Sequence, residues 1–235
     1  MSILFQPIQL TEFAIYTISD DNIEPSYGFT TSKNIDKNPQ NTPKNTGPQN
    51  SYTEIQNYLN GVFDVILIDT LPKSISLNVM NMIYYIQNNM HKNYKGIYLM
   101  GWGTGCSVIT QVAYIINNFI KPSYVLGNIY LAPQQAETEL INYLDIKCVF
   151  VHGKLDNIQK YTISENLYKN YNNTNKEIIL LDNQDHKFTH NSSNITEVIY
   201  NIFSKIYNEL NNIQPQITYC NITDGLNYGY MDCSL

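Results

Sequence analysis

Six short apolar runs, separated by stretches with apolar residues at every third or fourth position, most constrain what this chain can fold into. The runs are Phe13–Ile18, Phe63–Asp69, Gly96–Gly101, Val125–Leu131, Lys147–His152 and Glu177–Asp182. Most are continuous rather than alternating, the pattern of strands covered by helices on both faces. Between them "SYTEIQNYLNG", "ISLNVMNMIYYIQNNM", "SVITQVAYIINNFI" and "YTISENLYKNY" carry helical spacing, and "ITEVIYNIFSKIYNEL" follows the last run. Gly61, Pro122 and Pro215 punctuate helix ends. Such alternation builds repeated βα units around a parallel sheet. The expected fold is therefore α/β, a three-layer α/β/α sandwich with a mostly parallel, doubly wound sheet of about six strands.

The chain has 235 residues, 43% of them apolar, enough for one sizeable core, and residues 1–213 are expected to form a single domain. Within it residues 30–50, "TTSKNIDKNPQNTPKNTGPQN", hold almost no large apolar side chains and read as a flexible low-complexity loop. Residues 214–235 follow Pro215 and carry Tyr219, Tyr228 and Tyr230 with little charge. This tail reads either as a strap over the domain or as a docking segment for a protein partner.

Charged residues make up only 14% of the chain, the net charge is -6, and there is no arginine. A phosphate backbone needs a basic face, and arginine is the usual clamp for phosphate and reader of guanine, so nucleic-acid binding is disfavoured. Enrichment in Asn, Ile, Tyr and Lys fits the codon usage of an A/T-rich genome. No stretch reaches the roughly 18 apolar residues of a membrane span, and "MSILFQPIQLTEF" lacks the basic and long apolar regions of a secretory signal. A soluble, cytoplasmic or intracellular protein is expected. Cys106 and Cys148 fall in apolar runs as buried thiols, leaving Cys220 and Cys233 as the two that could pair.

The stretch "YLMGWGTGCSV", residues 98 to 108, places Gly101, Gly103 and Gly105 at alternate positions between a strand and a helix. A dinucleotide site would sit on the first strand of its unit with an acidic residue about 20 positions on, and residues 115 to 130 contain none. A Walker loop fails as well, because no lysine follows the glycines. The pattern of a nucleophile elbow, G-x-S-x-G, aligns better: small residues two positions either side of the nucleophile fall on Gly101 and Gly105. The nucleophile position falls on Gly103.

Here the chain resembles the α/β-hydrolase fold family of serine esterases, lipases and dienelactone hydrolases, over roughly residues 60 to 210. "FDVILIDTLPKS", with Asp69 before a turn, looks like the family's strand before its second helix, and "YVLGNIYLAP" like a following one. "IKCVFVHGKLDNIQKYTISENLYKNY" is similar to the late strand-plus-helix unit with an H-G-x-x-D pattern, which places Asp156 at the triad acid position. "KEIILLDNQDHKF" resembles the last strand and the loop of the catalytic histidine, placing His186 at the base position. The order Gly103, Asp156, His186 follows the family's nucleophile, acid, base order. The resemblance also implies an oxyanion-hole donor at the N–H of Thr104, a packing role beside the pocket mouth for Trp102, and no large lid.

The chain departs from this family in two places. Glycine at 103 has no hydroxyl to attack a carbonyl, and "TISDDNIEPSYG" after the first strand lacks the His-Gly pair that supplies a second oxyanion donor in many members. Loss of the nucleophile costs such triads on the order of a million-fold in turnover. Thr104, Cys106 and Ser107 are the nearby substitutes, and their side chains are expected to point away from the elbow tip. The expectation is a catalytically impaired pseudo-hydrolase serving as a binding or structural module, with a small-molecule ligand at the elbow pocket. The alternative is an active carboxylic-ester-type hydrolase or proton-transfer enzyme. It would act on a small ester, thioester or amide through His186 and Asp156, using water or a substitute nucleophile. His152 reads as structural and His91 as a solvated helix-end side chain. Asp182, Asp185, His186 and His190 lack metal-ligand spacing, so no metal and no cofactor are expected.

Overall fold

A computed structural model describes residues 13–18, 59, 63–68, 74–92, 94–134, 138–189 and 195–212. The six apolar runs all form strands: β1 (Phe13–Ile18), β2 (Asp64–Leu67), β3 (Gly96–Trp102), β4 (Val125–Leu131), β5 (Lys147–Gly153) and β6 (Lys176–Leu181). β1 and β4 keep the bounds read from the sequence, β3, β5 and β6 shift by one residue at one or both ends, and β2 is shortened most, from the expected Phe63–Asp69. Helices α1 (Ile75–Asn89), α2 (Gly105–Ile115), α3 (Thr162–Asn170) and α4 (Ile195–Asn212) match four of the helical stretches. The fifth, "SYTEIQNYLNG", lies outside the described residues apart from Leu59, as do the 30–50 loop, the 214–235 tail, Cys220, Cys233, Asp69 and His190. One helix departs from the expectation: after Ile115 the winding loosens to a π-helical turn, Ile116–Ile120, before Pro122. Helical apolar spacing does not distinguish the two windings over a single turn.

The six strands form one all-parallel sheet in the order β2-β1-β3-β4-β5-β6. Alternate strand residues build two cores. Tyr16, Leu99 and Phe150 pack with Met82 and Ile86 of α1, Ile109 and Val112 of α2 and Leu167 of α3. Ile15, Met100, Ile129 and Val151 pack on the other face with Ile199, Phe203 and Ile206 of α4. The sheet is therefore buried on both sides, which is why its strands read as unbroken apolar runs. Among the described residues no helix is long and apolar enough to cross a membrane.

The strand order reverses between β1 and β3. The chain steps from β1 outward to β2, returns across β1 to β3, and then proceeds outward to β6. In a doubly wound sheet the crevice for a ligand opens at this switch, outside the carboxyl ends of the strands. The turn from β3 into α2 stands at that point, and it is closed by backbone packed on backbone. A Cβ on Gly101 would lie 2.5 Å from the carbonyl oxygen of Gly105, and one on Gly105 would lie 2.5 Å from that of Ile18 at the end of β1. Replacing Gly105 with alanine is expected to cost about 1–3 kcal/mol by overpacking, although alanine is the better helix former. Denaturant unfolding of Gly105→Ala checks this, and unchanged stability would contradict the close approach.

Candidate functional site

The turn from β3 to α2 has the geometry of an elbow. Gly103 sits at its tip with φ 55°, a left-handed conformation that only glycine adopts freely. Its N–H donates to the carbonyl of Leu131 at 3.0 Å and its carbonyl accepts from the Cys106 N–H at 3.2 Å, so both of its backbone groups are engaged. Thr104 stands at the N-cap of α2 in helical conformation (φ -64°, ψ -26°), and its side chain makes no cap hydrogen bond. Its backbone N–H is at the start of a helix whose macrodipole favours negative charge.

Trp102, the last residue of β3, is buried at 3% exposure. Its ring lies 5.5 Å from Phe188 and 6.4 Å from His186, measured between centroids. Two of the three substitute nucleophiles next to the elbow are buried, while Thr104 is half-buried. Cys106 is buried with its sulfur facing the carbonyl oxygens of Gly101 (3.2 Å) and Leu131 (3.5 Å), and Ser107 is buried in α2. Cys148, on β5, is buried as well, and burial pushes its thiol up to about 12.

The second half of the site comes from the loops after β5 and β6. Gly153 ends β5 beneath the loop that follows β6, and a Cβ there would collide with the Gln184 backbone. Because glycine leaves that space, Lys154 N–H reaches Leu181 O and Leu155 N–H reaches Gln184 O, each at 2.9 Å, stitching the two loops together. Asp185 then closes a turn by accepting from Thr189 N–H (3.0 Å) and Thr189 Oγ1 (2.8 Å), with Phe188 at φ 52°. The turn holds His186 over Asp156.

His186 Nδ1 donates to Asp156 Oδ2 at 2.7 Å, with the aspartate side chain fully buried and the histidine 7% exposed. Oδ1 accepts the backbone N–H groups of Ile158 (2.8 Å) and Gln159 (2.7 Å). Oδ2 has a second partner, His152 Nε2, at 3.1 Å. The same nitrogen lies 2.9 Å from the Gln159 carbonyl, and His152 Nδ1 lies 2.8 Å from Ser164 Oγ on α3. Burial on its own would raise the Asp156 carboxyl, but hydrogen bonds from His152, His186 and the Gln159 N–H outweigh it and hold the group well below the usual carboxylate range.

With Nδ1–H committed to an ionised carboxylate, neutral His186 carries its lone pair on Nε2, the arrangement a general base needs. The structure thus brings Asp156 and His186 into contact, and Trp102 alongside them. His152 is buried, as expected of a structural residue, but it also bonds to Asp156. Ser164 and Gln159 complete the network without having been singled out in the sequence. Ser164, His152 and Asp156 even form a Ser–His–Asp chain, but Ser164 is fully buried and cannot meet a substrate.

Among the other candidates, Asp182 pairs with Lys154 at 2.6 Å and His91 Nδ1 donates to the Asn88 carbonyl at 2.7 Å on the exposed end of α1. No group of three or more His, Cys, Asp or Glu among the described residues has a metal-holding arrangement. A recess of about 290 Å³ lined by Asn117, Leu126, Tyr143 and Asp145 lies at the amino ends of β4 and β5 and includes none of the site residues.

No protein-family model and no curated protein sequence matches the chain. Solved structures do. Est1E from Butyrivibrio proteoclasticus is similar over 84% of this chain and 88% of its own, with 12% identity and a TM-score of 0.60, and it has also been solved with ferulic acid bound. The esterase domain of a Rhodothermus marinus protein matches over 86% and 88% (12% identity, TM-score 0.58). Dienelactone hydrolase from Anabaena variabilis does so over 86% and 88% (10% identity, TM-score 0.61). The chain has an α/β-hydrolase-like fold.

The depressed Asp156 carboxyl makes a prediction about stability. A carboxylate whose folded-state affinity for protons lies below its unfolded value contributes fully above the unfolded range and loses that contribution as the pH falls through and below about 4. Asp156→Asn is therefore expected to unfold at a lower temperature than wild type at pH 7, by a loss of about 2 kcal/mol or more. The gap should shrink towards pH 2. Thermal melts from pH 7 to 2 check this, and a gap that widens on acidification would contradict the assignment.

Proposed function

We propose that this protein is a hydrolase-fold binding module whose elbow no longer carries out acyl-enzyme chemistry, and that it holds a small ligand against the Asp156–His186 pair. One observation carries the reading: an elbow tip in the left-handed conformation at Gly103 with no side chain, next to Trp102, whose ring centroid lies 6.4 Å from that of His186 in a pair that keeps its 2.7 Å hydrogen bond. The ligand class we favour is a small acyl compound, an ester, thioester, amide or the corresponding acid, because similar folds belong to esterases and one of them binds ferulic acid. Thr104 N–H would face the carbonyl oxygen, His186 Nε2 would accept a donor from the ligand or from a water, and Trp102 would pack beside the ligand.

A second reading has a specific observation in its favour. Fixing Nδ1–H on Asp156 leaves Nε2 as a proton acceptor, which suits proton abstraction or the activation of a water. In that case His186 takes a proton from the bound molecule or water, Asp156 stabilises the imidazolium, and no covalent intermediate forms on the protein.

Fluorophosphonate labelling tests the first reading. Wild type is expected to resist the probe, and Gly103→Ser to accept it, with the added His186→Ala change removing the label. A serine at φ 55° costs about 1–2 kcal/mol, which a folded domain tolerates. Ester turnover by Gly103→Ser should remain roughly 10²–10³-fold below that of a complete site, the expected penalty for one missing oxyanion donor. Labelling of wild type would overturn this reading. Wild-type hydrolysis of p-nitrophenyl acetate that disappears in His186→Ala would replace it with the second.

A further inference from the structure

Asp156 Oδ1 is already anchored by two backbone N–H groups, yet Oδ2 accepts from two imidazoles, His186 at 2.7 Å and His152 at 3.1 Å. We propose that His152 is a positioning residue that withdraws charge from Asp156 Oδ2 and thereby weakens the hold of Asp156 on a protonated His186, with Ser164 locking His152 in the donating tautomer. This rests on the reading of Asp156 and His186 as the acid and base positions of the site.

The tautomer follows from the partners. His152 Nε2 faces only acceptors, the ionised Oδ2 and the Gln159 carbonyl at 2.9 Å, so it must carry a hydrogen. Nδ1 lies 2.8 Å from Ser164 Oγ, whose hydroxyl hydrogen can rotate to donate to it. His152 and Ser164 are both fully buried, so a second positive charge on His152 would be desolvated and would share one carboxylate oxygen with His186. His152 therefore acts as a neutral N–H donor, and His186, with its 7% exposure, is the imidazole that exchanges protons with the site.

Each donor to a carboxylate oxygen diminishes the charge that oxygen presents to its other partners. Removing His152 concentrates charge on Oδ2 and favours the His186 imidazolium. A merely structural role predicts the opposite: a loosened Asp156 would hold the imidazolium less well, as the loss of its charge would.

The surrounding ionisable groups stay constant in this comparison. On the loop of His186, Asp182 is exposed and tied to Lys154, Asp185 is bonded to Thr189, and Lys187 adjoins His186 in sequence. Glu165 on α3 is exposed, and the elbow contributes only the uncharged Trp102, Gly103 and Thr104.

The experiment is NMR titration of the His186 imidazole in the full chain, assigned by its loss in His186→Ala. His152→Phe, which keeps the space filled and water out, is expected to raise the His186 midpoint by about half a pH unit or more. Ser164→Ala should move it in the same direction by less, and His152→Gln, which restores an N–H donor, should return it towards wild type. Asp156→Asn should lower it.

A midpoint unchanged or lowered in both His152→Phe and Ser164→Ala, with Asp156→Asn still lowering it, overturns the role of His152 alone. A midpoint that ignores Asp156→Asn overturns instead the pairing of Asp156 with His186. Should His152→Phe fail to fold, Ser164→Ala decides: a raised midpoint supports the proposal and an unmoved one overturns it.

Discussion

The carbonyl oxygen of Ile18 lies 2.5 Å from where a Cβ on residue 105 would have to sit, and that close approach governs the architecture around the site. It lets α2 begin hard against the end of β1 at the point where the strand order reverses. The turn from β3 into α2, with Gly103 at its tip and the N-terminus of α2 after it, is thereby placed at the switch in strand order, where a doubly wound sheet binds its ligands. A second approach of the same kind, Gly153 beneath Gln184, brings the loop after β6 across the end of β5 and sets His186 on Asp156. Two backbone-on-backbone contacts that exclude any side chain thus fix both halves of the site.

The tie between Asp156 and His186 has a physical account independent of chemistry. A buried carboxylate is costly unless its lone pairs are satisfied, and Asp156 has two donors on each oxygen. Removing any one leaves a buried charge short of a partner, so the network resists piecemeal loss. The tip of the elbow has no such side-chain ties. Residue 103 contributes only its backbone to the structure, through Leu131 and Cys106, and those bonds do not depend on its side chain.

Much of the fold was legible because burial on both faces writes a strand as an unbroken apolar run, as in Val125–Leu131 and Lys147–Gly153. Gly101, Gly103 and Gly105 were legible as an elbow because each answers a local steric demand. The contact between Asp156 and His186 was foreshadowed by the ordered motifs that carry them. The second imidazole was not, since the contact of His152 with Asp156 depends on where the loop from Lys154 to Tyr161 returns, and Ser164 enters only because α3 packs that residue inward. The strand order also escapes the sequence, because local pattern does not say across which neighbour a chain returns. The π-helical turn at Ile116–Ile120 differs from an α-turn by one hydrogen-bond step, below the resolution of apolar spacing.

Glycine at the elbow tip bears on the energetics of the turn. A serine nucleophile must be held in the left-handed region against a cost of about 1–2 kcal/mol, strain that persists only because the surroundings over-determine it. Glycine reaches φ 55° without that cost, although it also loses more backbone freedom on folding. The two effects oppose one another and are of similar size, so replacing serine by glycine is close to neutral for stability while it is decisive for acyl-enzyme chemistry. An elbow is thus a site at which a hydrolase scaffold can lose its reaction without losing its fold. In this chain a carboxylate-backed imidazole and a helix N-terminus accompany the glycine tip, the latter at the switch point of the sheet.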